Sequence, residues 1–297
     1  MCHRAKEACE MIAQVAHRHV DVDGVEVFYR ESLPDRPDAP VLLLLHGFPS
    51  ASHQFRRLID ALGTRYRLIA PDYPGFGHTR APDGFTYSFD RLADVVAGFV
   101  DRLGLTRFAL YLFDFGAPVG FRLALRHPDR IAGLVVQNAN AYAEGLSGPA
   151  RDFIAVTPDS PDGERTIMDL LTLDATRAQY EGGTADPALV APEGWLLDQL
   201  FLDQPGRKEA QLALAYDYHR NVEAYPDWQA WLREHRPPTL IAWGVNDPFF
   251  TEAGAKAYLR DVPDAALHLL DTGHFALEGR LPVVAPLVAD FLDRTMG

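Results

Sequence analysis

Short apolar runs alternate with stretches of helical periodicity over most of the chain. The run Val41–Leu45 is apolar on both faces, which is typical of a buried strand in a parallel sheet. Further strand-like runs lie at residues 67–70, 108–113, 131–137, 239–244 and 265–270, and helical patterns lie at 52–62, 88–103 and 283–294. This alternation predicts an α/β fold with a mostly parallel, doubly wound sheet.

Two other parts of the chain depart from this rhythm. Polar and apolar residues alternate on both sides of Asp23-Gly24, which predicts an antiparallel hairpin at the start of the fold. Residues 139–236 contain helical patterns and no strand-like run, so they are predicted to form a helical insertion over one end of the sheet. The predicted division is therefore an N-terminal extension over 1–17, a core over 18–138 and 237–297, and the insertion between them.

Composition narrows the class of protein. The 297 residues carry a formal net charge of −13, which argues against nucleic acid or an anionic membrane as a partner. The two cysteines, Cys2 and Cys9, both lie near the N-terminus, and the chain does not begin with the long apolar segment of a signal peptide. We expect a cytoplasmic protein, monomeric or homodimeric, with no membrane span.

One acid stands at a strand-to-helix corner. Asp114 follows the apolar run 108–113, and helical spacing begins directly after it, with Pro118 suited to a first helical turn. Gly116 and Gly120 allow close approach of the neighbouring backbone. The arrangement matches a nucleophile elbow with aspartate in place of serine. The alternative is an ordinary helix N-cap, a role that aspartate also favours.

Two more polar residues follow later strands. His274 comes after the run 265–270, and Asp247 comes after the run 239–244. Taken singly, they are a loop histidine and an Asp-Pro turn residue. Together with Asp114 they follow the order nucleophile, acid, histidine, which is the order of α/β-hydrolases. Ligands bind at the carboxyl ends of strands in such sheets, so we expect the three side chains to meet.

Other chemistries find little support in the sequence. No serine lies in a Gly-x-Ser-x-Gly turn, no complete phosphate-binding loop is present, and the eleven histidines show no metal-ligand spacing. We therefore predict no metal and no cofactor. The loop after Val41–Leu45 contains Phe48, whose backbone N–H, with that of Phe115, is predicted to form an anion hole at Asp114.

These loops together resemble the α/β-hydrolase superfamily over residues 18–297, and specifically its aspartate-nucleophile branch of epoxide hydrolases and haloalkane dehalogenases. The resemblance rests on five motifs: His46-Gly47-Phe48-Pro49, Asp72-Tyr73-Pro74-Gly75-Phe76-Gly77-His78, Asp114-Phe115-Gly116, Trp243-Gly244 with Asp247, and Gly273-His274. It implies that Asp114 forms an ester with the substrate and that His274, oriented by Asp247, activates the water that hydrolyses it. The insertion would then be a cap over the pocket.

The resemblance also implies roles for residues of the cap. Tyr218 resembles a cap tyrosine that protonates the opened epoxide, and a second tyrosine is expected near 159–164, where none occurs. His46, Tyr142, Tyr180 and Trp195 are the candidates for the substrate pocket. Any of these aromatic residues could instead serve only packing. The aromatic content of the cap suits a small apolar or aromatic substrate.

The sequence leaves open which of two bonds in the substrate is broken, and therefore which of two reactions takes place. Phe115 stands where dehalogenases usually have a halide-binding tryptophan, and Phe48 replaces the asparagine of one dehalogenase class, so epoxide hydrolysis to a diol is the favoured prediction. Haloalkane dehalogenation by the same three residues is the alternative. A third hypothesis, from another class, is a relative of these enzymes that binds a small molecule without turnover.

Overall fold

The computed structural model describes residues 12–297 and has one eight-stranded sheet. The strands follow the order β1-β2-β4-β3-β5-β6-β7-β8, in which β1 and β2 are antiparallel and β3 to β8 are parallel. Their bounds are β1 Val15–Val22, β2 Val25–Ser32, β3 Val41–Leu45, β4 Arg67–Pro71, β5 Phe108–Phe113, β6 Ile131–Gln137, β7 Thr239–Gly244 and β8 Ala266–Leu270. The predicted α/β fold, with its N-terminal antiparallel hairpin, is confirmed.

The hairpin turns at the predicted Asp-Gly pair. Asp23 and Gly24 both have positive φ (50° and 87°), as a two-residue hairpin turn requires, and Val22 pairs with Val25 across it. Strand β1 begins at Val15, so the predicted boundary at residue 17 was too late. Residues 1–11 of the predicted N-terminal extension lie outside the described residues.

Helices cover both faces of the sheet. The core helices are α1 Arg56–Leu62, α2 Phe89–Arg102, α3 Gly116–Arg126, α11 Glu252–Ala257 and α12 Ala276–Met296. Helices α2 and α3 pack into the apolar cluster on one face, and α1 and α12 pack into the cluster on the other. Helix α12 begins seven residues before the predicted start, because it continues across a kink at Arg280 and contains Pro282.

The insertion is wholly helical. Its helices are α4 Gly148–Ile154, α5 Gly163–Asp169, α6 Leu173–Glu181, α7 Pro192–Leu202, α8 Arg207–Asp217, α9 His219–Glu223 and α10 Tyr225–His235. Polar side chains of α8 attach it to the loop after β4: Arg207 donates to the carbonyl of Gly77, and Gln211 donates to that of Gly75. The insertion is therefore joined to the carboxyl-end side of the sheet.

A buried contact between a histidine and a carboxylate also links the insertion to the core. His53 Nε2 lies 2.9 Å from Asp198 Oδ1 on α7, and both side chains are almost completely buried. Asp198 Oδ2 accepts a hydrogen bond from the Tyr180 hydroxyl at 2.6 Å. Removal of Asp198 leaves the polar atoms of His53 and Tyr180 without this partner in the interior.

We expect Asp198→Ala to lower the free energy of unfolding by about 3 kcal/mol, because His53 and Tyr180 lose their common partner. Chemical denaturation followed by circular dichroism measures the change. Glu193→Ala, on an exposed position of the same helix, is the matched control and should change it by less than about 0.5 kcal/mol. An Asp198→Ala protein as stable as this control would contradict the structural role of the pair.

Candidate active site

Asp114 occupies a strained corner between β5 and α3. Its φ is 48°, a left-handed value that a non-glycine residue adopts only when the surroundings hold it. Two glycines make room for it: a Cβ at Gly47 would lie 2.3 Å from the Asp114 Cβ, and one at Gly116 would lie 2.1 Å from the Leu45 carbonyl oxygen. The close packing predicted for this corner is present, and it turns the Asp114 side chain away from a simple capping position.

The carboxylate of Asp114 has two different oxygen environments. Oδ1 accepts a hydrogen bond from the Phe48 backbone N–H at 2.7 Å, and the Phe115 backbone N–H is near enough to favour the charged carboxylate. Oδ2 lies 3.7 Å from Nε2 of His274. Burial raises the pKa of Asp114 to about 6, and the opposite charge of His274 and the two N–H groups limit the rise. The residue is therefore ionised in neutral solution.

His274 is held by Asp247. The Nδ1 atom of His274 lies 2.6 Å from Asp247 Oδ2, and since a carboxylate only accepts, Nδ1 carries the proton and Nε2 is free to act as a base. Burial by itself would lower the pKa of His274, but the charge of Asp247, its hydrogen bond and the charge of Asp114 outweigh burial and raise it. The structure thus brings together the three residues that the sequence predicted.

Four further residues fix this pair, and none was recognised in the sequence. Asn138, directly after β6, donates to Asp247 Oδ2 at 2.7 Å. Asp247 Oδ1 accepts from the backbone N–H groups of Phe249 and Phe250. Gln137, the last residue of β6, donates to the His274 carbonyl. The sequence contains a signal for Gln137 and Asn138, because both are polar residues at the carboxyl end of a buried apolar strand.

A cavity of about 120 Å³ lies against Asp114 and His274. The core and the insertion both contribute to its wall, which consists of Phe48, Asp114, Phe115, Pro149, Ala150, Phe153, Ile154, Leu170, Gln179, Tyr218, Phe249, Phe250 and His274. Tyr218, between α8 and α9, is the predicted cap tyrosine that reaches it. Burial, then the neighbouring Tyr225 and Asp114, raise the pKa of Tyr218, so its neutral, proton-bearing form predominates.

The four predicted pocket residues do not line this cavity. His46 is wholly buried beside it: its ring stacks on Tyr73 at 4.1 Å, and its Nε2 accepts the backbone N–H of that residue. Tyr142 is buried elsewhere and donates to Asp261 at 2.7 Å. The prediction for these two residues was wrong because each already has its own hydrogen-bond partner in the core.

The pocket prediction was also wrong for Tyr180 and Trp195, because both are engaged in other contacts. Tyr180 donates to Asp198, and its ring stacks on Phe275 with centroids 3.8 Å apart. Trp195 packs edge-on against Tyr180. Both residues therefore belong to the contact between the insertion and the loop that carries His274. The residue next to Tyr180 in the chain, Gln179, lines the cavity instead.

Residues 12–297 contain neither a metal-binding cluster nor a helix that could cross a membrane. No group of three or more His, Cys, Asp or Glu side chains is arranged to hold a metal ion. No helix in this part of the chain has both the length and the apolar character needed to cross a bilayer.

Comparison with known proteins identifies the family to which this fold belongs. The family described as alpha/beta hydrolase fold matches residues 40–166. An uncharacterized hydrolase of Saccharomyces cerevisiae, YNR064C, is 42% identical over 268 residues, covering 89% of this chain and 92% of the yeast protein. The chain belongs to the α/β-hydrolase family.

Relatives of this hydrolase with a named activity include a haloalkane dehalogenase and an epoxide hydrolase. Haloalkane dehalogenase 2 of Mycobacterium tuberculosis is 42% identical over 104 residues, 35% of this chain and 36% of that protein. Epoxide hydrolase 2 of Caenorhabditis elegans is 25% identical over 289 residues, 93% of this chain and 80% of that protein. The crystal structure of haloalkane dehalogenase DbeA from Bradyrhizobium elkani superposes with a TM-score of 0.78 at 24% identity, covering 95% of this chain and 100% of that one.

Proposed function

We propose that this hydrolase opens an epoxide to a diol through an ester of Asp114, with residues 139–236 acting as a cap. The observation that supports the proposal is that the two carboxylate oxygens of Asp114 have different partners. One carboxylate oxygen is held by backbone N–H groups, the other faces His274, and a neutral tyrosine stands across the cavity. This arrangement supplies a nucleophile, a base and a proton donor around one apolar space.

In the first step Asp114 Oδ2 attacks an epoxide carbon and the carbon–oxygen bond breaks. The leaving oxygen takes the proton of the Tyr218 hydroxyl, whose raised pKa keeps that proton in place until the alkoxide forms. The ester that results retains Oδ1 as its carbonyl oxygen, still hydrogen-bonded to Phe48. The protein has then gained the whole substrate, and Tyr218 remains a phenolate until it takes the acid proton that hydrolysis of the ester leaves on Asp114.

In the second step His274 Nε2 takes a proton from water, and the hydroxide adds to the Asp114 carbonyl carbon. Negative charge develops on Oδ1, where the N–H groups of Phe48 and Phe115 stabilise it. Asp247 offsets the positive charge that His274 acquires. Collapse of the intermediate expels the diol with Oδ2, takes back the proton from His274, and leaves one water oxygen in the Asp114 carboxylate.

Haloalkane dehalogenation is the second candidate, supported by the identity to haloalkane dehalogenase 2 over about a third of the chain. The same ester forms, but the leaving halide needs no proton. The two reactions therefore differ in their need for the Tyr218 hydroxyl, and this difference gives the test.

We expect a parallel screen of epoxides and bromoalkanes at pH 8 to yield diol from epoxides, with Tyr218→Phe lowering kcat/KM for epoxides by about 10²-fold or more, because the alkoxide loses its proton donor. Diol and bromide release are measured in the same samples. Tyr216→Phe, a half-buried tyrosine outside the cavity wall, is the control and should retain activity. Bromide release with inert epoxides would establish the second candidate, and binding without either product would contradict both.

A further inference from the structure

Gln179 is a polar residue of the cavity wall that the proposed reaction does not use. Nine of the thirteen wall residues are apolar, and Asp114, His274 and Tyr218 have assigned roles, which leaves the amide of Gln179. Its side chain is only 7% exposed. No hydrogen bond within residues 12–297 involves that amide, and its atoms are not among the fully enclosed unpaired ones, so the amide remains accessible.

A second glutamine of the insertion has a side-chain amide that is fully engaged in hydrogen bonds within the protein. Gln199, on α7, is buried to a similar degree, at 8% exposed. Its Nε2 donates to the Leu171 carbonyl and to Asp203, and its Oε1 accepts from the Thr176 hydroxyl. Gln199 therefore holds the insertion helices together. Gln179 has no such bonds within residues 12–297 and lines the cavity, so its amide is available to a molecule bound there.

Helix α6 holds Gln179 in a fixed position. The next residue, Tyr180, is anchored by Asp198 and stacks on Phe275, beside His274. Three residues after Gln179, the Gly182 carbonyl lies very close to Gly273: a Cβ on Gly273 would be 1.7 Å from the carbonyl oxygen. These contacts place α6 directly on the loop that carries the base, and a residue so anchored can orient a ligand with little loss of freedom.

The chemistry of the amide defines the group that it recognises. It offers an N–H donor and a carbonyl acceptor and carries no charge, so its full complement is a hydroxyl, which both accepts and donates. A ligand without such a group displaces water from Gln179 and leaves the amide unpaired, which weakens binding. The wall contains no lysine or arginine, and the anionic Asp114 repels a carboxylate or phosphate on the ligand.

Building on the proposed function, we propose that Gln179 is a substrate-binding residue and that the substrate is a small uncharged epoxide bearing a hydroxyl away from the reacting carbon. Gln179 pairs with that hydroxyl while the apolar wall holds the carbon skeleton. Tyr218 alone protonates the leaving oxygen, because an amide cannot supply a proton.

The test compares two substrates and two proteins. A hydroxyl-bearing epoxide and its analogue with methyl in place of hydroxyl are assayed with wild type and Gln179→Leu, and kcat/KM is measured for all four combinations. We expect wild type to prefer the hydroxyl substrate about tenfold, as one neutral hydrogen bond provides, and Gln179→Leu to lose or reverse that preference. Gln199→Leu is the matched control: it should lower the unfolding midpoint while the preference ratio remains.

An unchanged ratio in Gln179→Leu, or a wild type that prefers the methyl analogue, would overturn the assignment. A purely structural role for Gln179 would lower kcat/KM for both substrates equally, which also counts against it. If wild type forms diol from neither epoxide, the proposed function fails separately. The same four-way comparison with a bromoalcohol and its matched bromoalkane then decides the role of Gln179, because a hydroxyl preference does not depend on the leaving atom.

Discussion

Asp114→Ala should lower kcat/KM by more than about 10⁴-fold, for epoxides and bromoalkanes alike, because the atom that attacks the substrate is removed. The neighbouring groups cannot replace it: His274 faces Asp114 Oδ2, and Asp247 is engaged with His274 and Asn138. Product release by the purified variant measures the effect. Asp129→Ala, at an exposed position between α3 and β6, is the control and should retain full activity.

Asp114→Asn adds a readout that a structural aspartate would not give. Burial raises the pKa of Asp114 to about 6 from an ordinary value of 3.8, so the folded protein holds this proton more tightly than the unfolded chain. Its contribution to stability is therefore complete below pH 4 and is lost as the pH rises through 6. A difference of about 2 pKa units corresponds to about 3 kcal/mol.

The neutral amide avoids that loss. We therefore expect Asp114→Asn to be inactive and yet more stable than wild type at pH 8, by about 1–3 kcal/mol, with the gain disappearing near pH 4. Denaturant unfolding at the two pH values measures it. An inactive variant that is less stable at pH 8 would instead indicate that Asp114 holds the corner together, as an ordinary helix cap does.

His274→Gln should trap the ester, because formation of the ester needs Asp114 while its hydrolysis needs the Nε2 base. Intact-protein mass spectrometry then shows a stable adduct on the peptide that contains Asp114. The mass gain identifies the reaction: an epoxide adds its whole mass, whereas a bromoalkane adds its mass less that of HBr. His235→Gln, at an exposed position on α10, is the control and should turn over without an adduct.

The double variant Asp114→Ala, His274→Gln should form no adduct. Wild type cycled in heavy-oxygen water should carry label in the Asp114 carboxylate, because hydroxide adds to that carbonyl carbon. A His274→Gln protein that is inactive and unmodified, together with an unlabelled Asp114 peptide in wild type, would contradict the ester and favour direct attack of water on the substrate.

The strands and the three central residues could be predicted from the sequence for a simple physical reason. A strand buried on both faces is a continuous apolar run, as in β3 and β5, and parallel strands bring their carboxyl ends to one edge. Asp114, Asp247 and His274 each follow such an end. Their convergence therefore depends on the topology alone, without knowledge of any side-chain packing.

The cavity wall could not be predicted in this way. Tyr180 and Gln179 are consecutive, but neighbours on a helix point about 100° apart, and the sequence-based choice was the wrong one of the two. The buried face of α6 consists of Thr176, Gln179 and Tyr180, and because two of these three residues are polar, no apolar periodicity marks that face. Arg122 on α3 shows the same effect: it is a charged residue, yet the insertion covers it and supplies Asn221 as its partner.

The groups around the site come from two different parts of the chain. In the described part of the chain, the side chains and N–H groups bonded to Asp114, Asp247 and His274 all come from the core, while Tyr218, Gln179 and much of the wall come from residues 139–236. Substitutions in that one segment can therefore change the wall of the cavity and the tyrosine beside it without altering the hydrogen bonds of Asp114, Asp247 and His274. Variation in a single contiguous stretch can change which molecules the cavity accepts, which fits relatives named for different reactions.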